Sequence, residues 1–189
     1  KAVSVSLLAQ TVKQEIRKDK KGIRTVSELV FPEHSGVDRR VYPEKMYVDV
    51  LEYKNGKKTE VALTIQGKPA VRLPEAYWLS FNTDDILTIV AEKVGGRVDL
   101  FDVVEKGNRQ QHGIDRYVEL VTSSGTVRIW SEAAFLVNVG EAKGINYSLK
   151  YPAKEGGIHF NLSNNLWNTN FCMWNEGSLT YRFTIEQID

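Results

Sequence analysis

The segment from Asn164 to Asn175 carries the side chains best suited to recognising a ligand. It holds five asparagines and two tryptophans within twelve residues. Side-chain amides donate and accept hydrogen bonds, and indole rings offer flat apolar faces, which are the groups that sugar hydroxyls and sugar C–H faces require. The segment therefore predicts a carbohydrate-binding loop between two strands. The candidate contacts in this segment and on the strand before it are Asn161, Asn165, Trp167, Asn170 and Trp174.

The same composition also has a structural interpretation. Asparagine side chains hold turns through hydrogen bonds to the backbone, and tryptophans fill cores. Side-chain chemistry alone favours this second interpretation, because aromatic residues of a soluble domain are more often buried than ligand-binding. The residue types by themselves leave both interpretations open.

Arg72 and Glu75 are further candidate carbohydrate contacts, because Pro74 fixes the backbone between them. Both side chains could point into one cleft, or they could pair and hold the start of the following strand, which is the interpretation we favour. A retaining glycosidase needs two carboxyl groups about 5 Å apart, and the sequence offers no marked pair. We therefore expect the isolated chain to be catalytically silent on aryl glycosides, with or without zinc.

The histidines and the cysteine give little support to metal or thiol chemistry. Neither His112 nor His159 has the close ligand spacing of a zinc site, so each is better explained as a hydrogen-bonded histidine beside a sheet. Cys172 stands between Phe171 and Met173, as expected for a buried and unreactive thiol. The sequence therefore predicts no metal and no cofactor in this chain.

Composition narrows the class of protein. The 189 residues include 25 Lys and Arg against 24 Asp and Glu, so the formal net charge is +1 and nucleic acid is not an expected partner. No stretch approaches the roughly 20 apolar residues of a membrane span, so no membrane partner is expected. The single cysteine leaves the compartment open, with bacterial export or a periplasmic location compatible. Because Lys1 is not a start methionine, we expect the chain to be a fragment.

The first 22 residues predict a helix or linker that precedes a β domain. Apolar residues recur here at steps of three and four, as on one face of a helix. These residues are Val5, Leu8, Ala9, Val12 and Ile16. A basic run and Gly22 follow, which suits a helix C-terminus. A strand through Val3, Val5 and Leu7 is the alternative at the very start.

From residue 46 onward the pattern changes to that of β-strands. Val61, Leu63 and Ile65 alternate with neighbours that suit a water-facing side, and Asn55-Gly56 predicts a hairpin turn. Short links without a helical pattern between the strands favour an antiparallel β-sandwich over parallel sheets. The further predicted strands are 76–81, 86–91, 97–104, 116–122, 126–130, 135–139, 145–151, 158–163 and 179–185.

Two long strings of residues resemble motifs of bacterial and fungal proteins related to the family 38 glycoside hydrolases, the α-mannosidase group. The first is GIHFNLSNNLWNTNFCMW, residues 157–174, and the second is GKPAVRLPEAYWLSF, residues 67–81. A third, NRQQHG at 108–113, matches more loosely. The similarity keeps the same order from about Tyr47 to the end. Asn168 stands where those proteins commonly have glycine, and Cys172 where they commonly have proline.

The resemblance implies a large multidomain enzyme. Its N-terminal barrel would carry a zinc site and the nucleophilic aspartate, and its C-terminal part would be a β-sandwich of the galactose-mutarotase-like supersandwich type. Residues 1–22 would then be an N-terminal helix or linker, and residues 23–189 the C-terminal domain. The expected partners are carbohydrate and the upstream catalytic domain of the same protein. Zinc would belong to the missing barrel, and no catalytic residue carries over to this chain.

Three functions are consistent with these residues. The first is a non-catalytic domain that supports the catalytic barrel and lends the loop at 164–174 to the sugar cleft. The second is a free-standing carbohydrate-binding module, which the same loop would serve. The third, a complete small hydrolase, is the least favoured because no acid and base pair is evident.

Overall fold

The computed structural model of the chain describes residues 4–144, 147–166 and 174–188. These residues form thirteen β-strands and two short 3-10 helices, Arg39–Val41 and Lys154–Gly156. The strands are β1 Gln10–Lys18, β2 Gly22–Val30, β3 Lys45–Tyr53, β4 Lys58–Lys68, β5 Ala76–Phe81, β6 Ile86–Lys93, β7 Gly96–Asp99, β8 Gln111–Gly113, β9 Tyr117–Thr122, β10 Gly125–Ser131, β11 Leu136–Val139, β12 Ile158–Asn164 and β13 Gly177–Ile188.

The strands form two sheets. The larger has nine strands in the order β1-β2-β3-β4-β13-β10-β9-β6-β7, and the smaller has four in the order β5-β12-β11-β8. Every pairing of these strands is antiparallel. The predicted fold class, a mainly β antiparallel sandwich, is therefore confirmed. Its assignment to the supersandwich type stays a prediction.

The core lies between the two sheets and includes aromatic contacts from one sheet to the other. The ring centroid of Phe160 in the small sheet is 5.0 Å from that of Phe183 in the large sheet, and Phe81 lies 5.7 Å from Phe160. Phe160 and Phe183 are buried in one apolar cluster. The inward-facing residues predicted on β4 belong to the same cluster, namely Val61, Leu63 and Ile65. One core therefore holds both sheets together.

The prediction of an N-terminal helix is wrong. Residues 10–18 form β1, which pairs with β2 and places Ile16 opposite Thr25. The expected helix end is a hairpin turn, in which the Asp19 amide donates to the Gly22 carbonyl at 2.8 Å. An amphipathic helix gains most of its stability from a surface that covers its apolar face, whereas β1 gains backbone hydrogen bonds from β2. The division of the chain at residues 22 and 23 stays a prediction.

Two further strand predictions fail in part. The predicted strand 97–104 ends at Asp99, because the Asp99 carboxylate accepts the Phe101 amide at 2.8 Å and closes a turn. Residues 147–151 of the predicted strand 145–151 form no strand, and residues 145–146 lie outside the described residues. Instead, the Tyr147 hydroxyl donates to the Lys106 carbonyl at 2.7 Å. At both places, a hydrogen bond between a side chain and the backbone forms where pairing with a neighbouring strand was predicted.

The hairpin turn predicted at Asn55-Gly56 is confirmed. Gly56 has a φ of 66°, in the left-handed region that glycine adopts without a steric cost. The Asn55 side chain accepts the Lys57 amide at 3.1 Å, as in an Asx turn. This turn sets the register between β3 and β4.

The outer side of β12 in the small sheet is buried as well as its core side. His159, Asn161 and Ser163 alternate with the core residues of β12, as their order predicts, and all three are buried. Asn138 of β11 lies opposite His159 and donates to the Lys143 carbonyl at 2.7 Å. The segment after β11 therefore covers part of this face and supplies hydrogen-bond partners to it.

We expect two buried histidines to make the fold less stable in mild acid. Burial lowers the pKa of His112 and of His159 below the ordinary value of 6.5. The unfolded chain therefore binds protons that the folded chain excludes, so the free energy of unfolding falls as the pH drops below about 6.5. Urea unfolding measured from about pH 8 to about pH 5 checks this. An equally steep fall in the double variant His112→Asn/His159→Asn would contradict it.

Candidate functional site

The candidate site lies where the link from β4 to β5 meets the link from β12 to β13, and Asn165 joins the two. Its Oδ1 accepts the Glu75 amide at 2.6 Å, and its Nδ2 donates to the carbonyls of Val71 and Leu73 at 2.8 and 2.9 Å. The Asn165 amide also donates to the Glu75 carbonyl at 3.1 Å. We call this arrangement the Asn165 clamp, because one residue holds the 71–75 backbone against the end of β12.

Lys68 lies beside this clamp and is a residue that the sequence did not single out. Its side chain is fully buried, and its Nζ lies 2.5 Å from a carboxylate oxygen of Glu75. The same Nζ donates to the carbonyls of Pro69 and Asn175 at 3.1 and 2.9 Å. An ammonium group has three donors, so Lys68 is fully satisfied. Its ion pair and hydrogen bonds connect the same two links that the Asn165 clamp joins.

A bulge explains why strand alternation does not predict the burial of Lys68. Gly67 has a φ of 61°, and the pairing of β4 with β13 shifts register between Gly177 and Leu179. The extra residue changes the side of the sheet to which the next side chain points. A glycine that interrupts an alternating strand is the only sequence signal for this change.

Arg72 and Trp174 form the exposed part of the site. The guanidinium carbon of Arg72 lies 4.8 Å from the centroid of the Trp174 ring, and Trp174 is 40% exposed. A guanidinium at this distance is attracted to the indole face. Leu73 and Pro74 next to Arg72 are also exposed. The two links therefore present a planar cation and an indole to solvent, which we call the Arg72–Trp174 stack.

The other asparagines of this region bond to the protein itself where the structure describes them. Asn161 is buried, and its Oδ1 accepts the Asn164 side-chain amide at 2.7 Å. Asn175 donates to the Ser163 hydroxyl at 2.7 Å. These contacts match the structural interpretation of the segment, and carbohydrate contact by Asn161 and Asn165 stays a prediction. The predicted contacts Trp167 and Asn170 lie outside the described residues, as do Asn168 and Cys172.

The ion pair predicted between Arg72 and Glu75 is not the one formed. Glu75 pairs with Lys68, and Arg72 lies over Trp174. A buried ammonium group needs a counter-charge, whereas an exposed guanidinium keeps its water. Glu75 still holds the start of β5, as expected, although through a different partner.

A second concave surface lies on the outer face of the large sheet. It is a pocket of about 560 Å³, lined mainly by residues of β2, β3, β4 and β13, among them the buried Leu51. Arg24 and Asp49 face each other there, with the shortest contact at 2.6 Å. Hydrogen bonding to Asp49 raises the pKa of Arg24. No sequence pattern predicts the pocket, because its lining comes from separate strands.

The described residues contain no group of three or more His, Cys, Asp or Glu side chains that could hold a metal ion. Within the same part of the chain, no helix has the length and apolar character needed to cross a membrane.

Comparison with known proteins assigns no family to the chain. No family model matches it, and no curated protein matches it.

Proposed function

We propose that the chain is the non-catalytic C-terminal β-sandwich domain of a family 38-like glycoside hydrolase, where it supports the catalytic barrel and contacts the sugar. One observation carries this proposal. The two strings that resemble that family, residues 67–81 and 157–174, lie far apart in sequence, yet Asn165 joins them with three side-chain hydrogen bonds. The exposed Arg72–Trp174 stack takes one residue from each string.

The stack has the chemistry that a sugar requires. The exposed part of the Trp174 ring can pack on sugar C–H groups, and the Arg72 guanidinium can donate to sugar hydroxyls. Both residues sit on backbone that the Asn165 clamp and Lys68 hold in place. A site held in its binding geometry loses less conformational entropy when the ligand binds.

The carboxylate nearest the stack has a structural role. Glu75 is committed to the buried Lys68, which favours a supporting domain over a complete hydrolase. Under the proposal, the nucleophile, the acid and any zinc ion belong to the upstream barrel. The domain contributes contacts that orient a sugar in the cleft between the two.

Replacing Trp174 by alanine should abolish sugar binding and leave thermal stability almost unchanged. The ring is 40% exposed, so its removal opens no large cavity but removes the apolar face on which a sugar packs. Calorimetric titration with mannosides, alone and with a recombinant upstream barrel, measures the binding. Arg72→Lys is the companion variant, because it keeps the charge but loses the planar group.

Leu73→Ala serves as the control, since Leu73 is 61% exposed beside the stack. Loss of affinity in Trp174→Ala but not in Leu73→Ala supports sugar contact. Binding of mannosides without the barrel would favour the free-standing carbohydrate-binding module. Absence of binding to either sugar or barrel would refute the proposed function.

A further inference from the structure

The large sheet ends in an edge strand that presents its full length to solvent. β1 is the outermost strand of the sheet, and all nine of its residues are exposed. Its inner edge bonds to β2, so along the other edge its backbone amides and carbonyls point outward. A free edge of this length is a template for pairing with another strand.

Apolar side chains line one side of this edge. Val12 is 58% exposed and Ile16 is 64% exposed, and Ile23 on the neighbouring strand is 49% exposed. Ile16 lies opposite Thr25, two residues from Ile23, so both isoleucines point to the same side of the sheet. Exposed apolar residues next to backbone that pairs with no strand among the described residues indicate a surface that another chain can cover.

We propose that a second copy of this chain covers the edge, with the two β1 strands paired antiparallel about Gln14. In this register Lys13 lies opposite Glu15 of the second copy, and both residues belong to the regular stretch of β1. The two-fold axis repeats this contact, so the edge contains two ion pairs. Directly opposite residues of an antiparallel pair are close enough for such contacts to stabilise it.

The charges on β1 select this register over its neighbours. A shift that places Lys13 opposite Lys13 brings two like charges together at the axis. A shift in the other direction places Glu15 opposite Glu15 and Lys13 opposite Arg17. Like charges directly opposite each other destabilise a strand pair. The register centred on Gln14 pairs Lys13 with Glu15 and has no such conflict.

Lysine and bulges on an edge strand usually oppose indiscriminate pairing, and β1 has both. Its bulge lies between Thr11 and Lys13, so the stretch from Lys13 to Lys18 keeps regular geometry. We infer that these features limit the edge to one partner in one register. They do not remove the complementarity between Lys13 and Glu15.

Charge exchange tests the register. Sedimentation velocity of the chain from micromolar to millimolar concentration should show a monomer in equilibrium with a dimer. Glu15→Lys should raise the dimer dissociation constant about tenfold or more, because it places Lys13 opposite a lysine at two positions. Glu15 lies opposite the uncharged Val26 within its own protomer, so the hairpin should be little affected. The double variant Lys13→Glu/Glu15→Lys should recover most of the lost affinity.

Glu105→Lys is the matched control, because it changes the net charge equally at an exposed position away from β1. Equal weakening by Glu15→Lys and Glu105→Lys would overturn the proposed register. A chain that stays monomeric at every concentration would overturn the proposal as a whole. Neither result bears on sugar binding by the Arg72–Trp174 stack, so the two proposals can fail separately.

Disulfide trapping locates the two-fold axis. In a Cys172→Ser background, Gln14→Cys should form a symmetric disulfide, because the two Gln14 Cα atoms would lie about 4.5–5.5 Å apart. Lys13→Cys should not cross-link to itself, since its copies would lie about 8 Å apart. Equal cross-linking of both variants, or of neither, would contradict pairing about Gln14.

Discussion

Replacing Glu75 by alanine should lower the free energy of unfolding by about 3–5 kcal/mol. The Lys68 side chain is fully buried, and Glu75 is its counter-charge at 2.5 Å. Removing the carboxylate leaves an ammonium group in the interior without its counter-charge, although the carbonyls of Pro69 and Asn175 still accept from it. Chemical denaturation of the variant and of the parent chain measures the difference.

A second substitution, at Lys68, shows whether the uncompensated charge of the ammonium group causes the loss of stability. Lys68→Met added to Glu75→Ala should recover part of the stability, because a buried ion pair can often be replaced by apolar groups. Recovery should be incomplete, since two carbonyls lose their donor. Glu141→Ala is the control, because Glu141 pairs with Lys143 at the surface and its side chain is 55% exposed. We expect it to change stability by about 1 kcal/mol or less.

A loss in Glu75→Ala as small as that in Glu141→Ala would show that Lys68 finds water or another partner. The Arg72–Trp174 stack would then rest on a more adaptable backbone than the distances indicate. The same variant also tests the alternative of a complete hydrolase. If Glu75 were catalytic, Glu75→Ala would abolish turnover even under conditions in which the variant stays folded.

Replacing Phe160 by alanine should also lower the free energy of unfolding by about 3–5 kcal/mol. Phe160 is fully buried, and its ring meets those of Phe81 and Phe183 at centroid distances of 5.7 and 5.0 Å. The contact with Phe183 joins the small sheet to the large one. The substitution therefore leaves a cavity between the sheets and removes edge contacts between rings.

Phe135→Ala is the matched control, because Phe135 is 44% exposed. This substitution should lower the free energy of unfolding by about 0.5 kcal/mol, as is usual at surface positions. Phe160→Ala should keep a single unfolding transition, since both sheets share one core. Two separate transitions in the parent chain, or equal losses in the two variants, would contradict a shared core.

Strand alternation was sufficient to predict most of the sandwich. The predicted strand 76–81 coincides with β5, and Val61, Leu63 and Ile65 face the core as expected. Alternation with a period of two requires only that one face of a strand is buried, so a strand can be recognised from its own local sequence. Alternation did not identify the first strand, because Val12 and Ile16 also fit a helical step. Pairing with β2, which is a contact between segments, decided the outcome.

The candidate site followed from residue types, but its geometry required the tertiary structure. Composition marked Trp174, Arg72 and Glu75 as candidates, because indole, guanidinium and carboxylate groups have recognisable chemistry in any context. It did not predict that Lys68 would neutralise Glu75 or that Asn165 would clamp the 71–75 backbone. Those contacts lie where the link from β4 to β5 meets the end of β12, and the burial of Lys68 depends on the bulge at Gly67. Side-chain chemistry is local, whereas the partner of a buried charge is set by the packing of the whole sandwich.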